Sequence, residues 1–138
     1  MSIEGGCYCG QIRYTSTGPI LFRGQCLCRE CQYISGGNAN LVVGLPAEGF
    51  AFTQGVPTGY TRPDLEHPVT RKFCPDCGTH LLTESPGAPG VMIVKVGTLD
   101  NPAMYEGPER IIWTSDKQAF HHLPEGVPAY EKFPPRPE

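Results

Sequence analysis

Three observations predict a mainly β fold. The chain has 17 glycines and 15 prolines among 138 residues, a share that disfavours long helices and supplies many turns. Its apolar residues fall into short alternating or β-branched runs bounded by glycine or proline, the pattern of short or buried strands. Cys74-Pro75-Asp76-Cys77-Gly78 lies between two strand-like segments, where a hairpin turn belongs.

In chain order, residues 11–15 alternate so that Ile12 and Tyr14 share a face, and residues 20–23 alternate again. Residues 29–34 form the one plausible helix of the first half, and it is short. Residues 39–45 and 91–96 are β-branched runs of the buried-strand type. Residues 69–73 and 81–83 are the arms of the cysteine-bearing hairpin. Gly107-Pro108 and the stretch from Pro124 to Pro128 punctuate the last third, where Trp113, Phe120 and Tyr130 are expected to pack as a flap over the sheets. Residues 133–138 read as extended or frayed. No repeat or linker divides the chain, so a single domain over 1–138 is expected, with its core at about 5–133.

Composition narrows the function. Apolar residues at 39% and charged residues at only 18% argue against a disordered chain. Eleven basic and 14 acidic residues leave a net charge of −3, so no basic field invites nucleic acid. No apolar run approaches the roughly 18 residues of a spanning helix. The start, Met1-Ser2-Ile3-Glu4-Gly5-Gly6, lacks both a basic region and an apolar stretch. A cytoplasmic protein with no membrane partner is therefore expected, in a compartment where thiols stay reduced and grouped cysteines bind metal.

The seven cysteines form Cys7-Tyr8-Cys9, Cys26-Leu27-Cys28-Arg29-Glu30-Cys31 and the Cys74/Cys77 turn. An odd number cannot pair fully, and Cys-x-Cys units would need strained bridges between near neighbours. Zinc suits them better, since it takes four thiolates in a closed structural site and three in a site that keeps one position open. Seven divides naturally into four and three. Two partitions are possible. Cys28/Cys31 can join Cys74/Cys77 as a ribbon, leaving Cys7, Cys9 and Cys26. Alternatively Cys26, Cys28 and Cys31 stay together while Cys7/Cys9 join Cys74/Cys77, which keeps near neighbours on one metal and is the preferred arrangement.

Four blocks carry a family resemblance: the segment from Gly6 through Cys7-Tyr8-Cys9-Gly10 to Tyr14, the triple followed by Gln32, Ser35-Gly36-Gly37, and Phe73-Cys74-Pro75-Asp76-Cys77-Gly78-Thr79. Val96-Gly97-Thr98-Leu99-Asp100, Ile111-Ile112-Trp113 and Leu123-Pro124-Glu125-Gly126-Val127-Pro128 follow in order. Together they resemble the glutathione-dependent formaldehyde-activating (GFA) family, also called centromere protein V-like. The resemblance implies a β-tent fold of small antiparallel sheets with short helices. It implies a structural zinc on Cys7, Cys9, Cys74 and Cys77 and a second zinc on Cys26, Cys28 and Cys31, so two zinc ions per chain. The implied activity resembles S-(hydroxymethyl)glutathione synthase, a carbon–sulfur lyase that joins glutathione and formaldehyde. Two positions depart from the pattern: Leu27 and Arg110 stand where many members carry histidine.

A zinc held by three thiolates is soft and weakly acidic, so a substrate sulfur suits its open position better than water does. The expected chemistry is addition of a bound thiol to an aldehyde, or its reversal, with a small-molecule thiol or a thiol adduct such as a glutathione conjugate as the partner. Cys26, Cys28 and Cys31 are the candidate catalytic ligands, and Ser35, Gly36 and Gly37 are candidate substrate contacts through backbone N–H groups. Other polar residues receive plainer readings. His80 sits on a strand, His121-His122 is an exposed loop pair, Asp100 caps a turn, and Arg23, Arg71 and Lys72 are solvated. Lys95 borders a strand end. The alternatives are a non-enzymatic zinc-stabilised β-tent binding module and a thiol redox enzyme. The redox reading is weakened because every cysteine sits in a ligand group.

Overall fold

The computed structural model describes residues 2–135. Along the chain run β1 (Ile3–Gly6), β2 (Arg13–Ser16), β3 (Phe22–Cys26), α1 (Arg29–Ile34), β4 (Asn40–Pro46) and β5 (Phe50–Gln54). They are followed by β6 (Thr58–Thr61), β7 (Thr70–Phe73), β8 (His80–Glu84), β9 (Val91–Lys95) and β10 (Arg110–Ile112). Short 3-10 turns cover Val96–Thr98, Pro102–Tyr105 and Thr114–Asp116. The fold is mainly β, as predicted. No helix among the described residues is long and apolar enough to cross a membrane.

The strands form a three-stranded sheet, β1-β2-β5, and a seven-stranded sheet, β10-β3-β4-β9-β8-β7-β6. Every strand pairing is antiparallel except that of β10 with β3. The alternation of β4 explains the layering. Val43 and Leu45 join Leu81, Leu82 and Val94 in a core shared with Ile3, Ile12 and Tyr14 of the small-sheet region. Tyr14 stacks on Phe50 of β5, with ring centroids 5.2 Å apart. Its buried hydroxyl donates to Thr98 Oγ1 (2.8 Å), which in turn donates to the Lys95 carbonyl (2.8 Å). Asn40 and Val42, at the alternate positions of β4, are buried outside that core cluster.

The helix occupies the predicted residues, and both arms of the cysteine hairpin pair as expected. The flap departs from its prediction. Trp113 and Tyr130 are half-buried, but Phe120 is 66% exposed. Backbone bonds hold the C-terminal strap in place of a layer of rings: Ile111 N–H to the Pro128 carbonyl (2.9 Å) and Tyr130 N–H to the Ile111 carbonyl (2.9 Å). Of the extended end, residues 133–135 are described, with Phe133 edge-on to Trp113 at 5.8 Å. Residues 136–138 lie outside the described residues.

Candidate functional site

Two cysteine clusters emerge, divided four and three. Cys7 and Cys9 occupy the turn between β1 and β2, closed by Cys7 N–H to the Ile12 carbonyl at 3.1 Å. Cys74 and Cys77 occupy the β7–β8 turn. Gly78 leaves that turn at φ +77°, a conformation that favours glycine. Its N–H then reaches the Cys74 carbonyl at 2.8 Å. Tyr8 N–H donates to Thr79 Oγ1 (3.1 Å), tying the two turns together.

The four sulfurs all lie within 4.8 Å of one another. Cys7 and Cys9 Sγ are 3.6 Å apart, and Cys9 and Cys74 Sγ are 3.8 Å apart. A tetrahedron with metal–sulfur bonds of about 2.3 Å has sulfur–sulfur edges of about 3.8 Å. A disulfide needs about 2.05 Å, and all seven cysteines are free. The donor set and its spacing therefore fit a tetrahedral thiolate metal such as zinc. Ile12 N–H points at Cys7 Sγ (3.2 Å), while the Thr79 hydroxyl, followed by its N–H, holds the Cys77 thiol down at about 6.

The triple is assembled where β3 runs into α1. Cys26 ends the strand. Leu27 buries its side chain and donates its N–H to the Ile112 carbonyl of β10 (3.0 Å). Cys28 caps the helix, its sulfur accepting Cys31 N–H at 3.3 Å. Asn40 of β4 donates its amide to Cys31 Sγ at 3.4 Å. The three sulfurs again lie within 4.8 Å of one another, and no His, Cys, Asp or Glu among the described residues completes the group. Hydrogen bonds from Cys26 and Cys28 drive the Cys31 thiol down to about 2, while contacts with Cys28 and Cys31, and then burial, drive Cys26 up.

Lys95 of β9 is buried nearby. Its Nζ donates to Thr83 Oγ1 (3.0 Å). Burial lowers its pKa to about 8, against the opposing pull of Cys31. A buried ammonium is costly unless a negative charge balances it, and the triple supplies that charge.

The C-terminal strap braces the helix. Arg29 N–H donates to Asp116 Oδ2 (3.0 Å), and the Gln32 amide donates to the Leu27 and Asp116 carbonyls (2.8 and 2.9 Å). His121 is buried, not exposed as its sequence context implies. Its Nδ1 accepts Gln118 N–H (2.9 Å), which leaves Nε2–H to donate to the Gly37 carbonyl (2.7 Å). His122 is exposed.

Ser35-Gly36-Gly37 is the turn that ends α1. Ser35 N–H bonds to the Cys31 carbonyl (2.9 Å) and Gly37 N–H to the Gln32 carbonyl (2.7 Å). Both groups are thus occupied within the turn. His80 begins β8 as expected, with its Nδ1 buried and without a partner among the described residues. Asp100 pairs with the Arg13 guanidinium (2.9 Å) instead of capping a turn. Arg23 Nε donates to the Met104 carbonyl (3.2 Å) and Lys72 pairs with Glu84 (3.3 Å). Arg71, read as solvated, has a side chain only 14% exposed and meets Glu30 at 3.5 Å. Arg110 is exposed with its guanidinium over the Phe22 ring.

Sequence reasoning missed Asn40, Gln32 and Lys95 as neighbours of the triple. A polar residue opening a β-branched strand was the available signal for Asn40, and a lysine closing one was the signal for Lys95.

The family model described as glutathione-dependent formaldehyde-activating enzyme matches residues 2–116. Among solved structures, the crystal structure of a Rhodobacter sphaeroides protein is similar with a TM-score of 0.60 at 18% identity. The match covers 76% of this chain and 96% of that one. That likeness speaks for the fold.

Proposed function

Because the chain belongs to the glutathione-dependent formaldehyde-activating family, we propose that it is a zinc-dependent carbon–sulfur lyase or synthase acting on a thiol–aldehyde adduct. The reaction class resembles that of S-(hydroxymethyl)glutathione synthase, carried out by one domain in the cytoplasm. The observation that carries this reading is the triple: three sulfurs converge within 4.8 Å with no fourth ligand side chain among the described residues. A site built only to hold the fold would close with four ligands, as the other cluster can.

In this reading Cys7, Cys9, Cys74 and Cys77 hold a structural zinc, and Cys26, Cys28 and Cys31 hold a second. When bound there, zinc supplies a soft position that accepts a substrate sulfur and favours its thiolate form. In the forward direction the thiol sulfur bonds to the aldehyde carbon, the carbonyl π pair moves to oxygen, and the thiol proton ends on that oxygen. The reverse breaks the same bond.

The chain's own residues set the conditions. The Cys28 cap and the first turn of α1 fix two sulfurs relative to each other, and the Asn40 amide fixes Cys31. The buried Lys95 ammonium opposes the negative charge of three thiolates and stabilises their deprotonated form. Asp116 and Gln32 hold the helix against the strap. Substrate contact at the Ser35–Gly37 turn is then limited to the Gly36 N–H.

The test is turnover of a thiol panel, including glutathione, with formaldehyde and larger aldehydes. Two-zinc protein should accelerate adduct formation with at least one thiol, and folded Cys28→Ser should lose that acceleration. Two-zinc protein that accelerates none of them is a binding module whose metals serve the fold alone.

A further inference from the structure

A cavity of about 660 Å³ lies between α1 and the β6–β7 hairpin. Its lining includes Tyr33 and Ile34 from α1, Tyr60 from β6, Arg71 and Phe73 from β7, and His80 from β8. Tyr33 is 79% exposed and Tyr60 56% exposed, so two large rings stand open at the rim of one concavity. Paired exposed rings around a hollow are unlike the single apolar residues of an ordinary surface.

Arg71 provides the polar end. Its guanidinium reaches Glu30 and Thr83 only at 3.5 Å, the outer limit of hydrogen bonding. Five N–H donors in a planar fork are far from satisfied by two such contacts. A carboxylate is the group that matches that fork bidentately. His80 adds a ring to the wall.

Two links run from the cavity toward the triple, whose cysteines do not themselves line it. On the helix side, Glu30 lines the cavity and sits between Cys28 and Cys31. On the sheet side, Arg71 and Lys95 share the Thr83 hydroxyl, at 3.5 and 3.0 Å, and Lys95 adjoins the three cysteines.

We propose that this cavity holds the body of the substrate thiol, and that it takes a thiol with an aromatic or branched apolar group and one carboxylate in preference to glutathione. Glutathione carries two carboxylates, an ammonium and two amides. The lining is mostly rings and branched side chains, and of its charged residues Arg62 already forks Asp64 (2.7 and 3.1 Å) and Glu30 meets Arg71. It cannot satisfy that many polar groups, and unmatched polar groups lower affinity. This inference rests on the thiol–aldehyde reading, and its test separates the two.

The probe is 3-phenylpropionate, which has the ring and carboxylate but no sulfur, titrated into full-length metal-loaded protein by two-dimensional NMR. Saturable shifts are expected at Tyr33, Tyr60, Arg71 and His80. Arg71→Gln should weaken binding about tenfold, as the loss of one charge-assisted pair does. Tyr60→Ala, on the exposed rim, should weaken it severalfold and keeps the test valid if the Arg71 variant fails to fold. No saturable binding at millimolar probe, shifts confined to another surface, or unchanged affinity in the folded variants would overturn the assignment. Turnover is scored separately. With formaldehyde, 2-mercapto-3-phenylpropionate should exceed glutathione in kcat/KM by at least about tenfold, and a preference for glutathione sinks the inference. Probe binding without turnover of any thiol removes the lyase reading and leaves the carboxylate site standing. Turnover without probe binding does the reverse.

Discussion

Serine replacement of Cys7 together with Cys9, and of Cys28 alone, should have unequal consequences because the two clusters close loops of very different length. The Cys9–Cys74 contact spans 65 residues, whereas the triple spans only Cys26 to Cys31. Chain-entropy arithmetic for a cross-link gives about 4 kcal/mol for the long loop and about 2 kcal/mol for a loop of about five residues. A domain of this size has about 5–15 kcal/mol of stability in total. Losing the long cross-link therefore removes a large part of it, and losing the short one does not. The assay pairs metal content per chain with urea unfolding. Unaltered protein should hold two metals. Cys28→Ser should hold one and unfold cooperatively at a modestly lower midpoint. The double replacement Cys7→Ser, Cys9→Ser should lose about 2 kcal/mol more than Cys28→Ser, or fail to fold. Equal losses, a single metal in the unaltered protein, or unfolding of Cys28→Ser would refute the division of labour.

Two further outcomes follow from single histidines. Burial, and after it the charges of Lys95 and Arg71, lowers the His80 pKa from 6.5. The unfolded chain therefore takes up the proton first, so the stability tied to neutral His80 is fully present above about pH 6.5 and lost as pH falls toward the folded value. His80→Gln should flatten that slope between pH 5 and 7 in urea midpoints, and identical slopes would show that His80 plays no such part. His121→Ala strands the Gly37 carbonyl and the Gln118 N–H, and should cost about 1–3 kcal/mol. Hydrogen exchange should quicken at the end of α1, and unchanged protection there would place the brace elsewhere.

The elements with strong local signals were legible in the sequence. The Arg29–Ile34 helix and the hairpin around Cys74 to Cys77 sit where turn chemistry and periodicity put them. Strands β1 and β6 were not legible, because Ile-Glu-Gly-Gly and Thr-Gly-Tyr-Thr lack a continuous apolar face. Phe50 and Phe52 did offer an alternating signal for β5. The grouping of cysteines into four and three followed from ligand economy, since each metal prefers near neighbours first. The charged residues resisted prediction because their partners are remote. Asp100 meets Arg13 across 87 positions, and His121 meets Gly37 across 84. Lys95 and Arg71 ended up enclosed because strand order, not local propensity, set them beside α1 and the triple.

One edge of the large sheet bears on how the protein avoids sticking to itself. β10 lies outside β3, and the segment after Pro128 lies outside β10, bonded at Ile111, Trp113 and Thr114. That outermost segment is short, bounded by Pro128 on one side and by Pro134 and Pro135 on the other, residues with no N–H to offer an incoming strand. The strap is thus a terminator for sheet growth as well as a brace for the helix. The family match ends at residue 116, so a chain cut there would keep the matched region but leave the outer edge of β10 bare. Such a chain is expected to self-associate edge to edge, seen as concentration-dependent light scattering that the 138-residue chain does not show.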